Sequence, residues 1–398
     1  MPANNARLLA LTCPVAPDQL PDRAAHAVHL PHLRLSPGPC AVHPPLPPSL
    51  ASLPVAGWLP AKFELMPTAS LIVLNWRGEQ ATSRCVASLH RLEGAEECEI
   101  LVVDNESTAH SRRALAHLEG VKVVPLAENR GFAGGMNAGI AAARGRFVAL
   151  FNNDLVVGSA WLTQGLQVLE DPAVGIVGGP ELPWDGEGAP ESQEGGLALV
   201  QMDPGRGFTV LGPAPAERKV VAAIDGCNIF ARAELLRRLD GFDPDYFAYY
   251  EDVDLCARAW ALGYKTVFEP GMRVWHRRGH SSDQVARQRA FWSARNQIIN
   301  IAKHFPETRW RRAAALVAWE HLLDAIVGHP GGLRGKRTER LSWDRRLGRA
   351  QAALWAGSHA GWLSAKRSAT IAAGQHDEGF TERLRALNAA QRQRPAGP

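Results

Sequence analysis

Residues 69–104 read ASLIVLNWRGEQATSRCVASLHRLEGAEECEILVVD, and the fold class follows from this stretch. The apolar run SLIVL (70–74) has the length of a buried strand. Apolar residues then recur at helical spacing from Gln80 to Leu92. A second apolar run, ILVV (100–103), ends in Asp104. Two wholly apolar strands joined by a helix predict a parallel sheet that is covered on both faces.

The alternation of strands and helices continues to about residue 285 and then gives way to helices. Further elements are predicted at VKVV (121–124), the Ala-rich helix Asn137 to Arg144, FVALF (147–151), VGIVG (174–178) and KVVAAI (219–224). The Gly- and Pro-rich stretch 184–218 predicts loops or an irregular hairpin. Helical spacing returns at Arg287–His304 and Trp310–Val327. We therefore expect an α/β domain over 67–285, with a Rossmann-like and mostly parallel sheet, and a basic helical region over 286–398.

Residues 1–65 do not have the pattern of a folded segment. About half of the 28 prolines fall there, with neither a helical nor a strand period. The segment also lacks the basic start, apolar centre and small-residue cleavage site of a signal peptide. We expect it to be disordered. A second hypothesis is that Met66 is the native start and that the preceding residues are upstream sequence read in frame.

The composition argues against several classes of protein. No apolar run reaches the roughly 18–20 residues that a membrane-spanning helix requires. The six cysteines show no C-x-x-C spacing, so the sequence predicts neither a zinc site nor a disulfide framework. The hydrophobic and charged fractions, 46% and 21%, are ordinary for a globular chain, and we expect a cytoplasmic protein.

The net charge of +4 conceals an acidic body and a basic tail. Residues 284–398 carry 20 Lys and Arg against 8 Asp and Glu, or +12, so the remainder carries −8. Such a tail suggests an anionic partner, for example the cytoplasmic face of an inner membrane or a lipid diphosphate. The alternative is an Arg-rich, solvated helical face. No nucleic-acid partner is expected.

Polar side chains follow three of the predicted strands. Asn75, Asp104 and Asp154 stand at or just beyond the carboxyl ends of SLIVL, ILVV and FVALF, where ligands bind in open α/β sheets. Asn152 and Asn153 precede Asp154, and the run offers the hard oxygen ligands that Mg²⁺ and Mn²⁺ prefer. Asn-Asn-Asp is also ordinary turn chemistry, so the convergence of three strand ends is what favours a site.

A Gly-rich loop, NRGFAGGMNAG (129–139), leads into the Ala-rich helix. Such a loop lets the backbone approach a phosphate, and a helix N-terminus favours negative charge. Its glycines Gly131, Gly134 and Gly135 have neither the G-x-G-x-x-G spacing of a dinucleotide site nor that of a P-loop. The spacing therefore disfavours a dinucleotide and leaves a phosphate contact open.

A second candidate segment, residues 241–276, reads GFDPDYFAYYEDVDLCARAWALGYKTVFEPGMRVWH. A helix is expected from about Glu251 to Leu262, and the helix dipole favours the ionised form of Asp252 in its first turn. A carboxylate in this place could act as a general base or as a charge stabiliser. The aromatic residues before it could form a wall for a sugar or lie in the core: Tyr246, Phe247, Tyr249 and Tyr250.

Two further residues of this segment have competing interpretations. Asp254 and Arg258 are four residues apart in the favourable order, so we expect them to pair on the helix surface. His276 ends the short strand MRVWH, and it could serve as a structural residue or as a metal ligand.

The motifs IVLNW, VVDNES, ENRGFAGGMNAGI, FNND, DGCNIFAR, LDGFDPDYFAYYEDVDLCARA and VWH resemble, in order and spacing, those of glycosyltransferase family 2. The resemblance is to the branch of rhamnosyl- and galactofuranosyltransferases, and it covers about residues 69–282. It implies a GT-A fold and an inverting, metal-dependent transfer of a sugar from a nucleotide-diphosphate sugar. The implied acceptor is a glycan or a lipid-linked molecule in cell-envelope polysaccharide synthesis.

The resemblance also implies residue roles. Asp104 would contact the nucleotide base, Asp154 and His276 would bind Mg²⁺ or Mn²⁺, and Asp252 would be the general base. A single in-line displacement needs only one base and one metal ion that stabilises the leaving diphosphate. The full candidate set is the catalytic pair Asp252 and Glu251, the nucleotide-sugar ligands Asn75, Asp104, Asn129, Gly131, Asn137 and Asn153, and the metal ligands Asp154, His276 and Asn152.

This chain departs from the family pattern in two places. Asn152 stands at the first position of the usual D-x-D motif, which suggests lower metal affinity or a larger part for His276. The Q-x-x-R-W element of processive members is absent, which favours addition of one or a few sugars.

Two other classes compete with a glycosyltransferase. A sugar-nucleotide-forming nucleotidyltransferase is disfavoured because NWRGEQ, after the first strand, lacks the expected Gly-rich basic loop, and the other is a non-catalytic sugar-nucleotide or glycan-binding protein.

Overall fold

The computed structural model describes residues 66–186, 190, 196–207, 209–277, 286–330 and 340–392. The Pro-rich segment 1–65, with Cys13 and Cys40, lies outside the described residues, and so does the expected domain boundary at 285.

The larger sheet of the described part has eight strands, and the predicted α/β class is confirmed. Its strands, numbered along the chain and given in spatial order, are β10 (Lys219–Val220), β12 (Lys265–Phe268), β6 (Val174–Gly178), β11 (Asn228–Arg232), β4 (Phe147–Asn152), β1 (Ala69–Asn75), β2 (Cys98–Asn105) and β3 (Val121–Leu126). β1 pairs in parallel with β2 and β4, β2 with β3, and β6 with β12, whereas β11 runs antiparallel to β4 and β6. The sheet is therefore mixed, and less uniformly parallel than its apolar runs suggested.

Helices cover both faces of this sheet. Ile72 of β1 belongs to one apolar cluster, whereas its neighbours Leu71 and Val73 belong to the other, because successive residues of a strand point to opposite faces. Because helices shield both faces of the sheet from water, the strands are apolar without alternation. The helices are α1 (Glu79–Leu89), α2 (Ala109–Leu115) and α4 (Trp161–Val168) on one face, and α3 (Gly131–Ala142), α5 (Ala233–Leu239) and α6 (Glu251–Ala261) on the other.

A second sheet of five strands adjoins the site, again within the described residues. The hairpin that was one alternative for residues 184–218 is present as its last two strands. The strand predicted at 219–224 is shorter in the structure: β10 ends at Val220, Val221 donates one further backbone hydrogen bond to Thr266 of β12 at 3.0 Å, and residues 222–224 are buried in the core outside the sheet. The strands in spatial order are β5 (Leu155–Val157), β13 (Val274–His276), β7 (Glu181–Pro183), β8 (Leu197–Met202) and β9 (Thr209–Pro213).

The C-terminal region is helical, as expected, and it holds the loop that precedes α6. Asn296 donates hydrogen bonds to the carbonyls of Tyr246, Ala248 and Tyr249 at 2.9, 2.8 and 2.7 Å. No helix in the described ranges is both long and apolar enough to cross a membrane. The helices are α7 (Ala286–His304), α8 (Trp310–Val327), α9 (Trp343–Ser358), α10 (Ala360–Ala372) and α11 (Phe380–Arg392).

Part of the positive charge of this region is used inside the protein. Lys303 and Lys366 each lie 2.8 Å from a carboxylate oxygen of Asp243. Asp243 lies outside residues 284–398, so its negative charge is not included in the +12. That net charge therefore overstates what the tail can offer to an anionic partner.

Candidate active site

Asn75 and Asp104 meet at the carboxyl edge of the large sheet, because β1 and β2 pair in parallel with these residues in register. Asn75 donates to Asp104 Oδ1 at 3.0 Å, and Ser111 donates to Asp104 Oδ2 at 2.6 Å. Asp104 is only 1% exposed. The structure thus brings two of the expected strand ends together and holds both oxygens of Asp104.

Asn153 extends this network toward Asp154. Thr82 donates to Asn75 Oδ1 at 2.7 Å, and Asn153 donates to Thr82 Oγ1 at 3.2 Å. Asn152 is the last residue of β4. The Asn-Asn pair therefore belongs to the turn that carries Asp154, and it is anchored to the neighbouring strand end.

The Gly-rich loop predicted at 129–139 is wrong from Gly131 onward, because α3 begins there and not at Asn137. This first turn of α3 packs against the aromatic loop before α6. Gly131 has a φ of +69°, and a Cβ at this position would lie 2.4 Å from the carbonyl oxygen of Phe247. That oxygen accepts a hydrogen bond from the N–H of Ala133, in the first turn of α3, at 3.2 Å. Asn129 accepts hydrogen bonds from Gly131 at 2.8 Å and from Asn105 at 3.0 Å. Packing accounts for these residues, so their contact with a phosphate stays a prediction.

Asn137 is engaged at another place. Its amide nitrogen donates to the carbonyl of Phe242 at 2.8 Å, and its amide oxygen accepts from the N–H of Phe242 at 2.8 Å. Both halves of the amide thus fasten α3 to the loop after α5. We therefore leave Asn137 out of the proposed ligand set.

The metal candidates Asp154 and His276 are in contact. β13 runs antiparallel to β5 with His276 opposite Leu155, which sets the imidazole beside Asp154. His276 Nε2 lies 3.1 Å from Asp154 Oδ1, and Nδ1 lies 2.9 Å from Glu181 Oε2. No sequence pattern pointed to Glu181 as a site residue. It lies in the three-residue strand β7, and it is 3% exposed.

The charges around His276 suit a divalent cation. Burial lowers its pKa, but the hydrogen bonds with Asp154 and Glu181 outweigh burial and raise the pKa to about 10. Glu181, Cys227 and His276 each offer a ligand atom, and these atoms lie within 4.8 Å of one another. A site that stabilises positive charge so strongly can hold a metal ion in place of a proton. The imidazole makes the set better suited to Mn²⁺ than to Mg²⁺, which takes oxygen ligands.

Asp252 occupies a different environment at the start of α6. Its Oδ2 accepts from the N–H of Gly226 at 2.8 Å, and its Oδ1 accepts from the N–H of Val253 at 2.7 Å. Burial raises the pKa of Asp252 to about 6, against these backbone hydrogen bonds. The helix dipole is therefore not the dominant influence that the sequence suggested. A pKa near 6 suits a general base that works close to neutral pH.

Glu251 differs from its neighbour. It is 6% exposed, and burial together with the charge of Asp252 raises the pKa of Glu251 well above its usual range. Burial and the neighbouring charge thus disfavour the ionised form of Glu251, whereas Asp252 accepts two backbone hydrogen bonds of the kind that hold an ionised carboxylate.

Asp225 lies between the two halves of the site. Burial, together with the charges of Glu181 and Asp252, raises the pKa of Asp225 well above its usual range. The next residue is Gly226, whose N–H holds Asp252. The motif DGCNIFAR begins with Asp225, so its place in a motif was a signal, although nothing in the motif suggested a role.

Asp254 and Arg258 pair as predicted, but the expected surface position is wrong. Arg258 Nε lies 2.7 Å from Asp254 Oδ2, and the two side chains are 3% and 0% exposed. Lys303 and His304 of α7 reach Asp254 Oδ1 at 2.5 and 2.8 Å. Although burial opposes it, Arg258 and Lys303 hold the pKa of Asp254 well below its usual range. Helical spacing identifies neighbours on a helix, but it does not show that α7 covers them.

The aromatic run is divided between the core and a strained loop. Tyr246 is fully buried. Phe247, Tyr249 and Tyr250 have positive φ angles of 63°, 73° and 68°. Non-glycine residues adopt such angles at a cost of about 1–3 kcal/mol each, and this strain is concentrated at functional sites. The loop leads directly into Asp252, so its strain bears on the placement of that carboxylate.

Two family models and two curated relatives match parts of this chain. The family model described as Glycosyl transferase family 2 matches residues 70–204, and that of Glycosyl transferase family group 2 matches residues 147–330. The uncharacterized protein y4gI of Sinorhizobium fredii (strain NBRC 101917 / NGR234) is 28% identical over 212 residues, which are 48% of this chain and 23% of that protein. An N-acetylglucosaminyl-diphospho-decaprenol L-rhamnosyltransferase of Mycobacterium tuberculosis (strain CDC 1551 / Oshkosh) is 28% identical over 114 residues, 27% of this chain and 37% of that protein. The chain thus matches less than half the length of each relative.

The fold resembles that of one solved structure. The crystal structure of GalNAc-T7 with UDP, GalNAc and Mn²⁺ superimposes with a TM-score of 0.52 at 15% identity, over 77% of this chain and 58% of that one. At this identity the likeness concerns the fold, and it supports the GT-A architecture. Taken together, the two family models match residues 70–330, so this part of the chain is similar to glycosyltransferase family 2.

Proposed function

We propose that the protein is an inverting, metal-dependent glycosyltransferase that moves a sugar from a nucleotide-diphosphate sugar to a hydroxyl of a glycan or lipid-linked acceptor. The observation that carries this proposal is one cluster in which Asp154, His276 and Glu181 are hydrogen-bonded, and in which Glu181 lies within 4.8 Å of Cys227, the residue after Gly226, whose N–H binds Asp252. A metal-binding half and a proton-accepting half are what a single in-line displacement requires.

Each half has its own task in this mechanism. Asp154 and His276 would hold Mn²⁺ or Mg²⁺, which when bound neutralises charge on the leaving diphosphate. Asp252 would accept the proton of the acceptor hydroxyl while the oxygen of that hydroxyl attacks the anomeric carbon. The bond from that carbon to the diphosphate breaks as the new bond forms, so the configuration inverts. Asp104, beside Asn75, would contact the nucleotide base.

Two relatives support the finer parts of the proposal. GalNAc-T7 was crystallised with UDP and Mn²⁺, which favours a nucleotide sugar and Mn²⁺ here as well. The name of the mycobacterial relative supports a rhamnosyl donor and a lipid-diphosphate acceptor, and hence a part in cell-envelope polysaccharide synthesis.

A donor screen tests the reaction class. The protein is incubated with UDP-, GDP- and dTDP-sugars with and without Mn²⁺, and the anomeric configuration of any product is read by NMR. Retained configuration, or transfer that is unaffected by removing the metal, would contradict the proposal. Asp154→Ala and His276→Ala should each weaken Mn²⁺-dependent UDP binding by about tenfold or more. Asp171→Ala, at a surface acid that is 51% exposed, is the matched control and should not.

A lipid-linked acceptor would bring the protein to a membrane, and α8 offers a surface for contact. Leu316, Trp319 and Ile326 are 45%, 55% and 61% exposed, and their helical spacing places them on one face, opposite the buried Val317 and His321. Tryptophan and aliphatic residues beside arginines are typical of helices that lie in a membrane interface. We propose that this face rests on the anionic cytoplasmic leaflet of the inner membrane.

Vesicle binding tests the membrane contact. Trp319→Glu should reduce co-sedimentation with phosphatidylglycerol vesicles at low salt, where the attraction is strongest. Glu320→Gln on the same helix is the control and should bind as wild type does. Equal binding by the wild type and Trp319→Glu would exclude this face.

A further inference from the structure

We propose that Glu181 is a positioning residue, which aims His276 at the metal and ties the metal half of the site to the base half. The inference rests on the proposed function, because it concerns the metal that Asp154 and His276 would hold.

Strand pairing brings Glu181 behind His276. β7 and β13 run in parallel with Val274 opposite Glu181, so His276, two residues further on, emerges from the same face of the sheet. Glu181 Oε2 lies 2.9 Å from Nδ1 of the ring, and Asp154 Oδ1 lies 3.1 Å from Nε2. Because Nδ1 is committed to Glu181, Nε2 is the nitrogen that faces the metal beside Asp154. A carboxylate behind a metal-binding histidine fixes the orientation of the ring in this way.

The surroundings of Glu181 also indicate a cation. Glu181 and Asp154 lie 2.9 and 3.1 Å from the two nitrogens of one imidazole, that of His276, so two acids are crowded around it. Crowded like charges oppose folding, and they are retained where a positive charge is to be held. Glu181 is 3% exposed, so solvent contributes little to screening this repulsion.

Glu181 also reaches the base half of the site. Its carboxylate lies within 4.8 Å of Cys227 Sγ, and the preceding residue, Gly226, donates its N–H to Asp252 at 2.8 Å. The carboxylate that orients the metal ligand therefore lies beside the segment that holds the proposed base. Loss of Glu181 is expected to disturb metal binding first and the placement of Asp252 second.

The test measures Mn²⁺ affinity in the presence of UDP, by electron paramagnetic resonance of free Mn²⁺, so it does not depend on activity. Glu181→Ala should weaken Mn²⁺ binding by about 10–100-fold, as is usual when a residue that orients a ligand is lost. Glu181→Gln should bind within about threefold of the wild type, because its amide oxygen can still accept the Nδ1 hydrogen bond. Glu269→Gln, at another buried acid that pairs with Arg218 away from the site, is the matched control and should bind as wild type does.

The outcomes separate failure of this inference from failure of the metal site. Wild-type affinity in Glu181→Ala, together with a large loss in His276→Ala, would overturn the positioning role and leave the metal site standing. A loss in Glu181→Gln as large as that in Glu181→Ala would also overturn it, because Glu181 would then be a metal ligand itself. Wild-type affinity in His276→Ala would refute the proposed metal site and this inference with it. Thermal unfolding accompanies each variant, and Glu181→Met, which preserves volume, replaces Glu181→Ala if the alanine variant does not fold.

Discussion

Replacement of Asp252 by asparagine tests the proposed base directly. Asparagine has nearly the same volume and keeps one oxygen as an acceptor, but it cannot take up a proton. A general base contributes about 10²–10⁴-fold to a rate, so kcat should fall by a factor in that range. Donor affinity should stay near that of the wild type, because Asp154 and His276 hold the diphosphate in the proposed site.

The same variant should not lose stability. The pKa of Asp252 is raised from 3.8 to about 6, which means that the fold favours its protonated form. At about 1.4 kcal/mol per pKa unit, the ionised carboxylate costs the folded state on the order of 3 kcal/mol at pH 7. Asparagine removes this cost but gives up one of the hydrogen bonds from Gly226 and Val253, worth about 1 kcal/mol. The free energy of unfolding should therefore rise, by up to about 2 kcal/mol.

Glu251→Gln is the matched control, at the neighbouring acid in the same helical turn. Because Asp252 and not Glu251 is the proposed base, this amide replacement should leave kcat within about tenfold of the wild type. Product formation is followed by chromatography at saturating donor, donor affinity by calorimetry and unfolding by circular dichroism. Near-normal kcat in Asp252→Asn would refute the assignment of the base. An equally large loss in Glu251→Gln would refute the distinction between the two acids.

Three further outcomes are expected. The logarithm of kcat/KM should fall with unit slope below about pH 6, where Asp252 becomes protonated, and a flat profile there would contradict its role as a base. Gly131→Ala should lower the free energy of unfolding by about 2–4 kcal/mol, because φ is +69° and the new Cβ meets the Phe247 carbonyl at 2.4 Å. Gly263→Ala, with φ of +88° and no neighbour within 4 Å, should cost about 1 kcal/mol in the same thermal melts, and equal losses would show that the contact is unimportant. Asp254→Asn should cost about 3–5 kcal/mol in urea unfolding at pH 7, because it leaves Arg258 buried without its carboxylate and removes one of the two carboxylates that pair with Lys303. Since the pKa of Asp254 is depressed, its contribution is present above about pH 4 and is lost as the pH falls further, so wild type and variant should converge in acid.

The elements that the sequence predicted best are those whose burial is simplest. The runs at 70–74 and 100–103 lie within β1 and β2, and the helix expected at 80–92 overlaps α1. Strands buried on both faces must be apolar throughout, so their pattern is visible in the sequence. KVVAAI is equally apolar, but the strand ends at Val220, and residues 222–224 are buried in the core outside the sheet. Apolarity reports burial, and it does not report which backbone groups form the hydrogen bonds of the sheet.

The candidate site also has a part that the sequence predicts and a part that only the folded structure shows. The order of the motifs, the family, and the candidates Asp154, His276 and Asp252 can all be read from the sequence, because each stands at the end of a strand or the start of a helix that its neighbours specify. The pairing of Glu181 with His276, and the position of Glu181 beside Cys227, appear only in the folded chain. So does the burial that raises the pKa values of Glu251 and Asp252. Local patterns depend on residues that are adjacent in the chain, whereas burial and electrostatic coupling depend on which distant segments the fold packs together.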